Sequence, residues 1–421
     1  MKRLKYKIEL EGENSTKSSS FNFPADLLII ESRKKSLNYI GFFVVYFTLS
    51  SITAYLTIYL PVYLLSILNV NRSELAFIQI FSFSVLFIAP LLGFFFDKYT
   101  QYKKTIINFS IFLFLFSSLA TLLSGSMLHI FGLCLALNLL SHEIITVGIS
   151  RILIESSSNE KIKDRNLIII NVSSNIGGFI PSFIFLLVIT DIFNSYLWTN
   201  FFLLGSISLI PILIAIFCFK NEYPALEKTK VEVTNENKKF HYYQILFVTV
   251  SFILIWSDKL YLYPFTSWIL SQFGQIGLKS ISSSYGFFLI LNTFGYILGH
   301  KISKKFQRKN IILIMNVLYI SLIFLMVFSN LIFLIIIYAL NWFISGIILL
   351  NYTSLIISIS KNVKYKTVSY QMLRFAVAIA SIIFIPMGTF LSSIVLTEFL
   401  FLIAGFLSFF SLIPLFFLKS E

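Results

Sequence analysis

Charge is scarce in this chain: Asp, Glu, Lys and Arg together make up 12% of its 421 residues. A water-soluble domain of that length could not cover itself with so little polar surface, so a soluble protein is excluded. Cysteine is scarcer still, with only Cys134 and Cys218. The apolar runs described below place them near opposite faces of a membrane, which excludes a disulfide and a thiolate metal site. The four histidines, His129, His142, His241 and His300, show no metal-ligand spacing. The first 37 residues contain no apolar core before a small-residue cleavage site, so no leader is expected to be removed. A phosphate-binding loop is missing as well. The GQIGLKS string at Gly274 comes nearest, with the wrong spacing and on the outer side.

Apolar residues dominate what is present. They make up 57% of the chain, with 17% aromatics and 48 Phe. They fall into runs of the ~20 residues that a helix needs to cross ~30 Å of hydrocarbon. Twelve such runs are predicted: 38–66, 74–96, 105–125, 128–152, 166–190, 195–219, 242–270, 280–299, 310–328, 331–358, 367–391 and 396–418. They lack the alternation of barrel strands and are twice as long, so an all-α, multi-pass protein of the cell membrane is expected. The net charge of +14 is distributed unevenly: 29 of the 33 Lys and Arg fall in the amino-terminal tail, in alternate turns and at the carboxyl end. That asymmetry is the positive-inside rule, which puts both termini in the cytoplasm and argues against a nucleic-acid partner.

One basic turn occurs twice. GFFFDKYTQYKKTII runs from Gly93 to Ile107 and GHKISKKFQRKNII from Gly299 to Ile312, so the two glycines are 206 residues apart. Each copy follows the second of six apolar runs. The polar interval 220–241, which includes KTKVEVTNENKK, divides the chain into a 38–219 half and a 242–418 half, behind a polar tail at 1–37. Two similar halves of several membrane-length segments are the signature of a transporter built from a repeat.

These residues resemble the major facilitator superfamily, over 38–418. The family's loop between helices 2 and 3 reads Gly, three residues, Asp, a basic residue, one residue, Gly, then further basic residues. Gly93, Asp97, Lys98, Lys103 and Lys104 fit it, with Thr100 in place of the second Gly. The second copy keeps Gly299, Lys304, Arg308 and Lys309 but has Ser303 where the acid would stand. Asp97 ends a helix, where the dipole disfavours an acid, so it needs a compensating partner. The resemblance supplies one in the start of helix 11, around Thr367 and Ser369, as a contact that gates alternating access; Arg374 is grouped with this gate. The bland alternative is that these charges only set topology. Other family patterns are poorly kept: helix 4 offers His142 and Glu143 before Gly148 instead of a buried Arg, and helix 5 keeps only Gly177 and Gly178 of a longer antiporter pattern.

Ionisable residues at membrane depth default to a functional reading. Five qualify: His142, Glu143, Asp258, Lys259 and Arg374. The resemblance implies that helices 1, 4, 7 and 10 line a central cavity. Helical spacing then puts Tyr46, Ser50, Thr53 and Thr57 on one face of helix 1, and Glu143, Thr146 and Ser150 on one face of helix 4. Ser251, Asp258 and Tyr261 share a face of helix 7, as do Asn341, Ser345 and Tyr352 on helix 10. His142 and Lys259 are the neighbours turned aside, with His142 still at the cavity's edge. A carboxyl group in a dry site is pushed towards neutrality, so Glu143 and Asp258 are the expected proton carriers. Serine and threonine in membrane helices often bond only their own backbone, which is the competing account of the hydroxyls. Arg374 is expected to pair with a carboxylate or to snorkel to water rather than to bind substrate.

The sequence therefore predicts a secondary active transporter with twelve spans, coupled to protons, moving a small organic solute by rocking of two halves. It is expected to be a monomer in the bilayer, with no cofactor and no catalytic group. A multidrug/proton efflux antiporter is the alternative, and a non-transporting membrane sensor a more distant one.

Overall fold

The computed structural model describes residues 25–218 and 235–418, apart from short stretches at 69, 71, 124–126, 157–159, 192, 361–365 and 393. The connector expected at 220–241 and the start of the tail lie largely outside the described residues. Every element among them is helical. This is the only open-ended way for a chain in hydrocarbon to satisfy its own backbone N–H and C=O groups. Among the described residues, eleven helices are long and apolar enough to cross a membrane. We label them α2 (Ile80–Lys98), α3 (Lys103–Thr121), α4 (His129–Glu155), α5 (Lys163–Val188), α6 (Ser195–Cys218) and α7 (His241–Tyr261), then α8 (Lys279–Ser303), α9 (Arg308–Met326), α10 (Leu331–Ser360), α11 (Lys366–Leu391) and α12 (Thr397–Phe416). A shorter apolar helix, α1 (Tyr39–Ala54), precedes them.

α1 falls short because the first apolar run changes pitch. A π-helical stretch at Tyr55–Tyr59 follows it, and α-helix resumes at Leu60–Ser66. The helix that contains α1 begins at Ala25, so the last part of the expected tail is helical. α7 changes pitch too, from α-helix ending at Ile255 to a 3-10 turn over Trp256–Tyr261. The helical stretch that follows is broken at Gly274, whose φ of +62° lies in the left-handed region that glycine enters without strain. That break separates α8 from the run expected to end at 270. Pro181 and Pro386 sit inside α5 and α11.

Large apolar side chains cover the outside. Phe116 and Phe217 are 70% exposed and Phe328 is 85% exposed, a surface that only lipid tolerates. Inside, α1 packs on α5, α3 on α4, α8 on α10 and α9 on α10. Two large crossings join the first six helices to the last six, α2 on α11 and α5 on α8, with smaller contacts of α4 on α11 and α5 on α10. The charged side chains described below sit at these contacts.

Candidate functional site

At the basic end of the α2–α11 crossing, Gly93 lets the helices touch backbone to backbone. A Cβ at Gly93 would sit 3.1 Å from the backbone N and Cα of Val368. That approach delivers Asp97, at the end of α2, to the first turn of α11. Its carboxylate accepts from the Thr367 hydroxyl at 2.7 Å and from the backbone N–H groups of Thr367 at 3.1 Å and Val368 at 3.4 Å. The orphan donors and positive dipole end of α11 are a natural seat for a carboxylate. The partner implied for Asp97 is therefore in place. A second partner was counted in the sequence only as a topological charge: Arg151 on α4, whose Nη1 lies 2.5 Å from Asp97. Arg151 is held in turn by Glu155 at 2.8 Å, which also takes Lys103 at 2.6 Å. Lys98 lies over the Tyr99 ring, and Lys104 takes no part in this cluster.

The α5–α8 crossing carries a counterpart at the same end. Asp164, at the start of α5, meets His300 Nδ1 of α8 at 3.0 Å and Arg308 Nη2 of α9 at 3.2 Å. It also accepts from Ser354 of α10 at 3.1 Å. Its neighbour Lys163 is buried and donates to Ser358 of α10 at 2.8 Å. The acid missing from the second basic turn, at Ser303, is thus replaced by one from the first six helices. Sequence reasoning missed Asp164. The available signal was an acid in the otherwise basic string KIKDR.

At membrane depth, Glu143 of α4 and Arg374 of α11 face each other across the two sets of helices. Nε and Nη2 of Arg374 hold the two Glu143 oxygens at 2.6 and 2.7 Å, a bidentate fork. The Glu143 side chain is 1% exposed, that of Arg374 31%. His142 Nδ1 lies 3.8 Å from Glu143 and has no hydrogen-bond partner. Tyr46 of α1 and Tyr370 of α11 lie close to the pair, and the Ser150 hydroxyl donates to the Thr146 carbonyl at 2.7 Å. Arg374, grouped on sequence with the gate at Asp97, instead pairs with Glu143. Only the packing of α4 against α11 decides which acid it meets.

The face predicted for α7 is also corrected. The 3-10 turn re-aims its side chains: Asp258 accepts from Tyr319 of α9 at 2.7 Å, and Lys259 donates to Ser381 of α11 at 2.7 Å over the Trp256 ring. Tyr261 stacks edge-on against Phe401 of α12, and Ser251 bonds Tyr352 of α10 at 2.6 Å, with Asn316 of α9 beside it. Ser251, Asp258, Tyr261 and Tyr352 thus point into the last six helices, away from the first six. Asn341 is buried with both amide atoms unpartnered. Thr146 donates to the backbone carbonyl of His142, the modest role weighed for such hydroxyls. On α1, Tyr46, Ser50 and Thr53 are partly buried, and the Thr57 side chain lies outside the described ones.

Ser345 belongs to an amide cluster that the sequence reading did not contain. Asn175 of α5 donates to Asn171 at 2.9 Å, to Asn292 of α8 at 3.0 Å and to Thr293 at 2.8 Å. Asn292 donates to Ser345 at 2.9 Å and to the Trp342 carbonyl at 3.0 Å. Among the described residues no three His, Cys, Asp or Glu side chains gather as a metal-binding group. The site offers ion pairing, proton binding and hydrogen bonding.

The family model described as the Major Facilitator Superfamily matches residues 39–369. A comparison of the sequence with curated proteins finds no match. Among solved structures, the fold is similar to two crystal structures of the nucleoside transporter NupG. A mutant of it gives a TM-score of 0.62 at 14% identity, covering 91% of this chain and 99% of that one. The other gives 0.62 at 14%, covering 92% and 100%. At that identity the likeness shows the fold alone.

Proposed function

This chain belongs to the Major Facilitator Superfamily and is a multi-pass membrane transporter; from that premise we propose that it is a proton-coupled secondary transporter of a small organic solute, working by alternating access. The first helix, with its π-helical extension, supplies a twelfth span. Residues 38–219 and 242–418 are then two six-helix halves joined by a cytoplasmic connector at 220–241, with both termini cytoplasmic and the protein a monomer in the cell membrane. The observation that carries this reading is the Glu143–Arg374 fork. It is an ion pair inside the membrane-spanning region, made by one group from each half, and part of it is open. Such a pair is costly to bury and is made or broken by one proton. Asp97 and Asp164 act as two gates on the cytoplasmic side, each closing one crossing between the halves.

The test is transport into proteoliposomes from a panel of organic acids, amines, nucleosides and neutral solutes, read by mass spectrometry with and without an imposed pH gradient. At least one solute is expected to accumulate only with the gradient. Glu143→Gln is expected to abolish that accumulation while leaving solute exchange. Accumulation that ignores the gradient in both proteins would replace proton coupling with a uniporter or sodium-coupled mechanism.

A further inference from the structure

We propose that Arg374 is the receptor for an anionic group on the solute, and that Glu143 occupies that receptor while the site is empty. The solute class is then a monovalent organic carboxylate, carried with one proton. The inference rests on the proton-coupled reading above and adds to it the identity of what the proton releases.

The geometry carries the assignment. Arg374 already binds a carboxylate through Nε and Nη2, so its fork has the orientation that a second carboxylate would need. The two partners are unequally placed. Glu143 is sealed at 1% exposure, whereas nearly a third of Arg374 is open, so a solute reaches the cation and not the acid. The groups facing Glu143 are His142 on its own helix, Tyr46 from α1, and Arg374 with Tyr370 from α11. Arg374 is the one permanent cation among them. The other intramembrane cation, Lys259, is engaged at Ser381 and Trp256. Tyr46 and Tyr370 are the uncharged groups beside Arg374.

The exchange balances. One proton moves onto a Glu143 oxygen, and His142 Nδ1, buried and unpartnered 3.8 Å away, is the group placed to pass it. Neutral Glu143 gives up the fork, and the solute carboxylate takes both N–H donors. Arg374 keeps its proton throughout, so the site has the same net charge before and after. Transport is therefore electroneutral. Because a largely enclosed guanidinium without an anion is unfavourable, binding of the proton and binding of the solute favour each other. The fork also links α4 to α11, so replacing Glu143 by a diffusible anion unties the halves and biases the alternating-access equilibrium.

The experiment measures binding to the full-length protein in nanodiscs, using formate, acetate, lactate and benzoate as probes against their uncharged amides. At least one carboxylate is expected to bind, and its amide is not. Glu143→Gln, which removes the internal competitor, is expected to tighten that carboxylate by about tenfold or more; Arg374→Gln is expected to lose it. Should Glu143→Gln fail to fold, the same tightening is read in the unsubstituted protein between neutral and acidic buffer. In proteoliposomes, uptake of that carboxylate is expected to follow the pH gradient and to ignore an imposed membrane potential. Equal binding of acid and amide, unchanged affinity in Glu143→Gln, or no binding by any of the four acids overturns the assignment. The two readings fail separately. Gradient-driven uptake of uncharged solutes alone sinks the carboxylate receptor and leaves proton coupling standing. Carboxylate binding at Arg374 with gradient-independent uptake supports the receptor and sinks the coupling.

Discussion

Asp97 accepts hydrogen bonds from four donors, three on α11 and one on Arg151. Asparagine at this position would turn an N–H₂ group towards donors and lose the charge that Arg151 neutralises. We therefore expect Asp97→Asn to insert normally but to lower the transport rate roughly tenfold or more, equivalent to ~1.4 kcal/mol. Labelling of a cysteine at position 150, in a background lacking Cys134 and Cys218, should rise from the cytoplasmic side; unchanged transport and labelling would reduce the loop to a topology signal. Asp258 is different. Its hydrogen-bond partner Tyr319 lies within the last six helices, and an Asn there can still accept from that hydroxyl. Asp258→Asn should leave the pH dependence of uptake unchanged and the rate within about threefold; loss of gradient-driven accumulation would return Asp258 to the coupling site.

At the scale of elements, the two crossings are unlike in chemistry and alike in place. α2 brings an acid to the amino end of α11, whereas α5 brings an acid to basic groups on α8 and α9. Asp164→Asn removes the carboxylate that Arg308 and His300 share, so the basic end should open more readily. The expected readout is faster cytoplasmic labelling of a cysteine at position 354, together with a lower thermal midpoint. Combined with Asp97→Asn, the effects should add, because the clusters share no partner; strong non-additivity would mean a single gate. Most of the helices were legible as apolar runs, but the run expected at 38–66 gives a short apolar helix ending at Ala54 and that at 242–270 a span ending at Tyr261. The pitch changes were not legible. Asp258 and Lys259 interrupt the apolar run, but nothing in WSDKLY marks a change of pitch, and the 3-10 turn there sends the two side chains to different neighbours.

For the whole molecule, sidedness is the open measurement. A reporter fused after Lys239 or at Glu421 should read as cytoplasmic, and one beside Lys279 as external; a connector fusion found outside would break the twelve-span reading. Sequence alone determined that the chain is helical and membrane-spanning, because hydropathy and backbone satisfaction in lipid leave no other choice. It also located the Gly93–Asp97 motif, because Gly and Asp lie within one turn of chain and need no knowledge of packing. Tertiary structure alone decided the charge partners. Glu143 and Arg374 are 231 residues apart, and Asp164 and His300 are 136 apart. A helix fixes which residues share a face, but which helix that face meets depends on packing summed over every crossing. A buried charge takes its partner from that sum, and not from its neighbours in the chain.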